Sequence, residues 1–447
     1  MPEPNLIRPR ERDAILQALR AGVVPKLGLQ YIQVGRAGEV TELVKDIDRI
    51  AAGGTAIRFI IGEYGAGKTF FLNLGRLVAL ERKLVVMNAD LAPSRRLHAS
   101  DGQARSLFNE LTRNLATRTK PEGGALASIV ERFIGDALRA AERDGQAVEE
   151  IIRERLAPLR DLVSGFEFAT VIGCYWRGYD QGDEEIKMAA LRWLRAEYST
   201  RTEARIALGV REIIDDTRIY DHLKLLAAFV KLAGYDGLLV VLDEMVNLYK
   251  LANSQSRNAN YEQLLRIVND VLQGSAAHIG FLMGGTPEFL MDTRRGLYSY
   301  PALQSRLAEN RFARDGLIDL SGPVIRLQNL TIEDMYVLLA KIRTIFSGGS
   351  AAPPTIPDEA ITRFMEHCSK KIGEAYFRTP RNTVTAFVGL LAVLEQNPGT
   401  VWEELLGDVE ITPDTPAEPV DSSDMTPGEH TLLPVQADDD QLTTFRL

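Results

Sequence analysis

Residues 60–71 read I-I-G-E-Y-G-A-G-K-T-F-F, an apolar run that enters a glycine-rich turn and leaves it through Lys-Thr. The spacing Gly62-x-x-x-x-Gly67-Lys68-Thr69 calls for a buried strand, a loop with inward-facing backbone N–H groups, and a helix opening near Lys68. Side chains would obstruct that inward turn, which is why glycines recur through it. The helix start adds positive potential where an anion would sit. Gly62, Glu63, Tyr64, Gly65, Ala66, Gly67, Lys68, Thr69 and Phe70 are therefore the expected nucleotide contacts. Lys68 is expected to bridge β- and γ-phosphates, and the Thr69 hydroxyl to ligate Mg2+. The competing reading is a simple strand-to-helix turn with a surface lysine.

A second motif weighs against that reading. G-L-L-V-V-L-D-E (237–244) is a buried strand that ends in two acids. Asp243 is expected to hold the Mg2+ hydration shell and Glu244 to polarise an attacking water. A P-loop kinase acting on a small molecule has no need of a carboxylate that activates water. No N-K-x-D guanine signature occurs in the chain. ATP hydrolysis coupled to motion is the better expectation.

Later residues fit it. Thr286 follows the strand I-G-F-L-M-G-G, where it can sense a γ-phosphate, cap the helix ahead of Pro287, or do both. Arg306 and Arg311, in A-L-Q-S-R-L-A-E-N-R-F, either reach a neighbouring subunit's γ-phosphate or lie on a solvated helix face. Arg381, in R-T-P-R-N-T-V, stands near a helix start, an unfavourable place for a cation unless it faces an anion.

Strands alternate with helices through both motifs, which predicts a parallel α/β sheet followed by an all-helical piece. The expected organisation is an N-terminal helical segment (1–30), an ATPase core (31–99 and 236–325), a helical insertion (100–235), a helical lid (326–407) and an acidic disordered tail (408–447). Y-I-Q-V-G-R (31–36) reads as a strand or loop. About 145 residues separate N-A-D-L from the acidic strand, too many for an ordinary connection, hence the insertion. Within it, C-Y-W-R-G-Y-D and A-L-R-W-L-R-A-E-Y interleave aromatics with arginine. Tyr175, Trp176 and Trp193 there either stack on bases or pack the insertion's core, and packing is the commoner fate.

Charge adds one point. The net charge is −9, but residues 408–447 hold ten acids and one base, so 1–407 balances 51 acidic against 51 basic residues. Overall charge therefore says nothing about a basic face on the body. Cys174 and Cys368 are too few and too distant to imply disulfides or a metal site. No signal peptide and no membrane span is expected, so the expected location is cytoplasmic. The tail has too little apolar surface to offset the entropy of ordering it. Deleting 408–447 is expected to leave the melting temperature and nucleotide binding unchanged. A fall of several degrees would show that the tail packs on the body.

Taken together, these residues make the chain resemble an AAA+-type P-loop ATPase, and more narrowly the BrxD-like ATP-binding proteins of BREX bacteriophage-defence loci. The resemblance covers about residues 15 to 405; G-E-Y-G-A-G-K-T-F-F and V-L-D-E-M-V-N-L-Y-K carry it to the superfamily, and G-V-V-P-K-L-G-L-Q-Y-I-Q-V-G-R, N-A-D-L-A-P-S-R-R-L and G-G-T-P-E-F-L-M-D-T-R-R-G-L-Y-S-Y-P-A-L-Q-S-R-L are the more specific strings. It implies that Val34, Gly35 and Arg36 line the adenine side and that Arg306 is a trans-acting arginine finger. It also implies that Arg381 is the lid's sensor arginine and Thr286 the first sensor, where AAA+ proteins often carry Asn. ATP and Mg2+ are the implied ligands. A homo-oligomer, a partner helicase and DNA are the implied partners. The alternatives are a nucleotide-gated switch and a scaffold that holds ATP structurally; intact Lys68, Thr69, Asp243 and Glu244 count against the scaffold.

Overall fold

A computed structural model of the chain describes residues 7–313, 319–349, 355–372 and 380–406. The expectation for the 408–447 tail lies outside the described residues.

Five parallel strands form one sheet: β1 Thr55–Ile61, β2 Val85–Asp90, β3 Leu238–Asp243, β4 Ile279–Gly285 and β5 Val324–Arg326, in the order β2-β3-β4-β1-β5. Parallel pairing brings all five C-terminal ends to one edge, where ligands of such sheets bind. The register sets Asp90 opposite Asp243 and Ile61 opposite Gly285. The phosphate-loop strand and the acidic strand are not neighbours; β4 lies between them and delivers Thr286 to the gap.

Strand alternation divides the core. Ile57, Phe59, Ile61, Val240, Leu242 and Phe281 face one side, packed against helices of the 100–235 region such as Gln103–Arg113 and Ile219–Leu232. Ala56, Ile60, Leu239, Val241 and Leu282 face the other, against the Ala37–Ala51 and Lys68–Glu81 helices. Leu43, Ile47 and Ile50 supply the Ala37–Ala51 contact at the spacing of one helix face. The 100–235 helices thus share a continuous core with the sheet. Their aromatics are buried and spend their polar atoms internally: Tyr175 Oη donates to Glu131 (3.1 Å), Trp176 Nε1 to Glu149 (3.3 Å) and Trp193 Nε1 to the Glu212 carbonyl (2.9 Å). Packing, not base stacking, occupies these three side chains.

A separate cluster unites the two ends of the body. Ile15, Leu29 and Ile32 pack with Leu339, Phe364, Phe387 and Leu391 of the Ile332–Phe346, Asp358–Ile372 and Pro380–Gln396 helices. Leu74 on the buried flank of the Lys68–Glu81 helix joins the same cluster. The helix opening at the glycine loop therefore has one side on the sheet and another on the helical layer. At 31–36 the loop alternative holds for 33–36, while 31 and 32 close the helical turn Leu29–Ile32, and Arg36 (φ 58°) turns the chain into the next helix. β5 escapes periodicity because only three residues pair. Its lead-in is fixed by Arg58, buried in β1, which bonds Asp46 (2.5 Å) and the carbonyls of Leu320 (2.8 Å) and Gly322. Removing one partner from a buried pair of this kind costs about 3–5 kcal/mol, because the other charge is left uncompensated.

Candidate functional site

The strand edge carries the candidate site. After β1, the loop turns through Gly65 (φ 83°) and Gly67 (φ 79°), both in the left-handed region that glycine enters at no steric cost. Gly67 is the N-cap of the Lys68–Glu81 helix and has no side chain to satisfy the first helical N–H groups. Those donors are left for an anion. Lys68 Nζ folds back over the loop and donates to the carbonyls of Gly62 and Glu63, both at 2.9 Å. Burial lowers its pKa from the ordinary lysine value, opposed by Asp243, Glu244, Glu63 and Glu288.

Thr69, one residue on, donates its hydroxyl to Asp243 Oδ2 at 2.7 Å. The other carboxylate oxygen, Oδ1, accepts the backbone N–H of Glu244 at 2.8 Å. Hydroxyl and carboxylate are hard oxygen donors of the kind Mg2+ takes, so this pair fits that cation. Glu244 has φ 57°, a strained value for a non-glycine residue, and its side chain is exposed at the cleft. Desolvation raises its pKa, reinforced by Asp243 and then Asp90. Asp90 ends β2 and is pushed up likewise, by desolvation and then by Asp243. N-A-D-L hides this role because a single acid after a strand is common; only the Asp90–Asp243 register makes it part of the cluster.

Thr286 stands at the end of β4 as N-cap of Pro287–Met291, accepting from Phe289 N at 3.5 Å. Capping uses the oxygen only, so the hydroxyl proton stays free to donate. Arg36 Nη2 donates to Ala66 O (2.5 Å) in the glycine loop and to Gln328 O (3.0 Å) beyond β5. Gly35 (φ 59°) lies so close to the Ile332–Phe346 helix that an added β-carbon would sit 3.0 Å from Asp334 Oδ1. Val34 and Phe70 are partly buried against the helical layer, so Phe70 packs away from the loop mouth. Arg381, second residue of its helix, donates to Tyr64 Oη at 3.4 Å. Arg306 lies apart from this group on the Pro301–Leu307 helix, donating to Asn269 Oδ1 (2.5 Å) and Ala302 O (2.9 Å). Arg311 is exposed.

The site thus gathers a lysine over an anion cradle, a hydroxyl–carboxylate pair and an exposed carboxylate of raised proton affinity. It can hold a polyphosphate and activate a water beside it. No helix among the described residues is long and apolar enough to cross a membrane. No curated protein matches the chain. The sequence profile of the BREX system ATP-binding protein BrxC/D family matches residues 7–410, which spans the glycine loop, the acidic strand and the helices at both ends. The chain belongs to the BREX system ATP-binding protein family, BrxC/D, and ATP is the ligand that this membership supports.

Proposed function

We propose that this protein is an AAA+-type ATPase of the BREX phage-defence system, which binds ATP with Mg2+ at the β1 loop and hydrolyses it against Glu244. The observation that carries the reading is the junction of Thr69, Asp243 and Glu244 beside Lys68. Lys68 spends two of its three donors on loop carbonyls, which keeps the ammonium at the loop mouth for β- and γ-phosphate oxygens. Thr69 and Asp243 are the oxygens that would hold Mg2+, whose charge offsets that of the phosphates when bound. Glu244 accepts a proton from the attacking water, a task suited to a carboxylate of raised pKa. The free hydroxyl proton of Thr286 orients that water or senses the γ-phosphate. Val34, Gly35 and Arg36 form the adenine side, a role supported by their position between the glycine loop and Asp334. Arg381 acts as the lid's sensor, supported by its bond to Tyr64 in the loop.

Action in the cytoplasm, on DNA or with a partner helicase, belongs to the same proposal. So does a homo-oligomer whose sites are completed in trans. Arg306 is the assigned finger. Its bonds to Asn269 and Ala302 use only part of a guanidinium with five donors, which leaves donors for a second partner. Arg306→Ala is expected to bind ATP normally and hydrolyse it about a thousandfold more slowly. Mixed with Lys68→Ala it should regain activity, because the Arg306→Ala subunit offers a working P-loop to its neighbour's intact arginine. The same mixture with Arg311→Ala identifies which arginine acts. A protein that stays monomeric with ATP and DNA, and shows no rescue, favours the nucleotide-gated switch. Turnover measured with and without DNA tests the motor reading directly.

A further inference from the structure

We propose that Gly284 is a positioning residue: the missing β-carbon at this place in β4 is what lets the Asp243 carboxylate face Thr69 and the Glu244 backbone at once. A glycine inside a strand weakens it and marks a close approach. Gly284 pairs with Ile60 of β1 in the middle of the sheet, and its carbonyl accepts the Met245 N–H at 2.9 Å. Its backbone is not left-handed, so conformational freedom does not explain the glycine. Space does. A β-carbon here would fall well inside van der Waals contact of Asp243 Oδ1, 3.2 Å from Asp243 Cγ and 2.8 Å from Leu72 Cδ1.

Asp243 Oδ1 is the atom that accepts the Glu244 N–H, and Oδ2 accepts from Thr69. A side-chain tip yields more readily than a central strand, so an added methyl turns the carboxylate. That breaks the alignment with Thr69 and also removes the bond that holds Glu244 at positive φ. The neighbouring glycine differs: a β-carbon at Gly285 would meet the Phe289 ring, away from the acids. The inference rests on the reading of Thr69 and Asp243 as the Mg2+ pair.

The test is a titration of a fluorescent ATP analogue into full-length Gly284→Ala protein, in EDTA and across a Mg2+ series, with melting temperature as a check on folding. Affinity in EDTA should match wild type, because Lys68 and the glycine loop are untouched. The Mg2+ needed to tighten binding should rise about ten- to a hundredfold, the usual loss when a residue that orients a ligand is changed. Leu72→Val with Gly284→Ala relieves the apolar overlap alone; it should restore any lost melting temperature without restoring the Mg2+ response. In an Asp243→Ala background, Gly284→Ala should add nothing further, since both act through one carboxylate. A wild-type Mg2+ response in Gly284→Ala, its repair by Leu72→Val, or full additivity with Asp243→Ala would overturn the proposal. If wild-type protein binds MgATP but releases no phosphate, hydrolysis falls as a function, while the binding titration still reads Gly284.

Discussion

Lys68→Ala protein is expected to lose detectable ATP binding and, with it, all turnover. The ammonium folds back over the glycine loop, held there by the carbonyls of Gly62 and Glu63 at 2.9 Å. Arg36 does not replace it, being committed to the carbonyls of Ala66 and Gln328, and Arg381 reaches the loop only through Tyr64 Oη at 3.4 Å. The loss is a binding loss and not a folding loss, because the lysine's partners are two loop carbonyls that water can satisfy. Titration with a fluorescent ATP analogue checks the affinity, and an unchanged melting temperature without nucleotide checks the fold. The same contact predicts a pH effect. Burial lowers the Lys68 pKa, so affinity should be full at neutral pH and should fall, as pH rises, earlier than an ordinary lysine would allow. Wild-type affinity in Lys68→Ala would show that the loop amides alone hold the phosphates.

Glu244→Gln separates binding from chemistry. Glutamine keeps the size and the strained backbone position but cannot take a proton. ATP affinity should persist, the bound nucleotide should remain ATP, and turnover should fall by about a hundred- to ten-thousandfold, the range of a lost general base. In wild type, turnover should rise with pH through the Glu244 pKa. In the nucleotide-free site desolvation, Asp243 and Asp90 hold that pKa above the ordinary glutamate value, so the acidic limb of kcat/KM, which reports the free enzyme, should lie at higher pH than for a solvated carboxylate. Identification of the nucleotide retained after gel filtration reads the trapping.

Much of this site is legible in the chain because its chemistry is local. Six residues from Gly62 to Gly67 prescribe a loop geometry that few other spacings prescribe, and L-L-V-V-L ahead of two acids, a common pattern alone, reads as a buried strand tip once that loop stands upstream. The parallel sheet follows from alternation, and four of its strands are readable. The fifth is not: Val324–Arg326 pairs only where Arg58 and Asp46 hold its lead-in, a contact across hundreds of positions that leaves no periodic trace. Asp90 is missed for a related reason, because strand order, not spacing, sets it opposite Asp243. Gly284 does leave a signal, a glycine pair inside an apolar strand, but its meaning needs the neighbouring strand's carboxylate in view. Likewise no pattern announces that Ile15 near the N-terminus and Phe387 near the far end share one core. Hydrophobic faces are readable one at a time; their partners are a property of the folded whole.

Hydrolysis of ATP by the β3 acids is read by steady-state phosphate release. Purified full-length protein with ATP and Mg2+, with and without DNA, is compared with Glu244→Gln at equal nucleotide occupancy. Hydrolysis at this cleft predicts phosphate release by the wild type that disappears in Glu244→Gln while ATP stays bound. Equal release from both proteins, or none from the wild type under either condition, would contradict it.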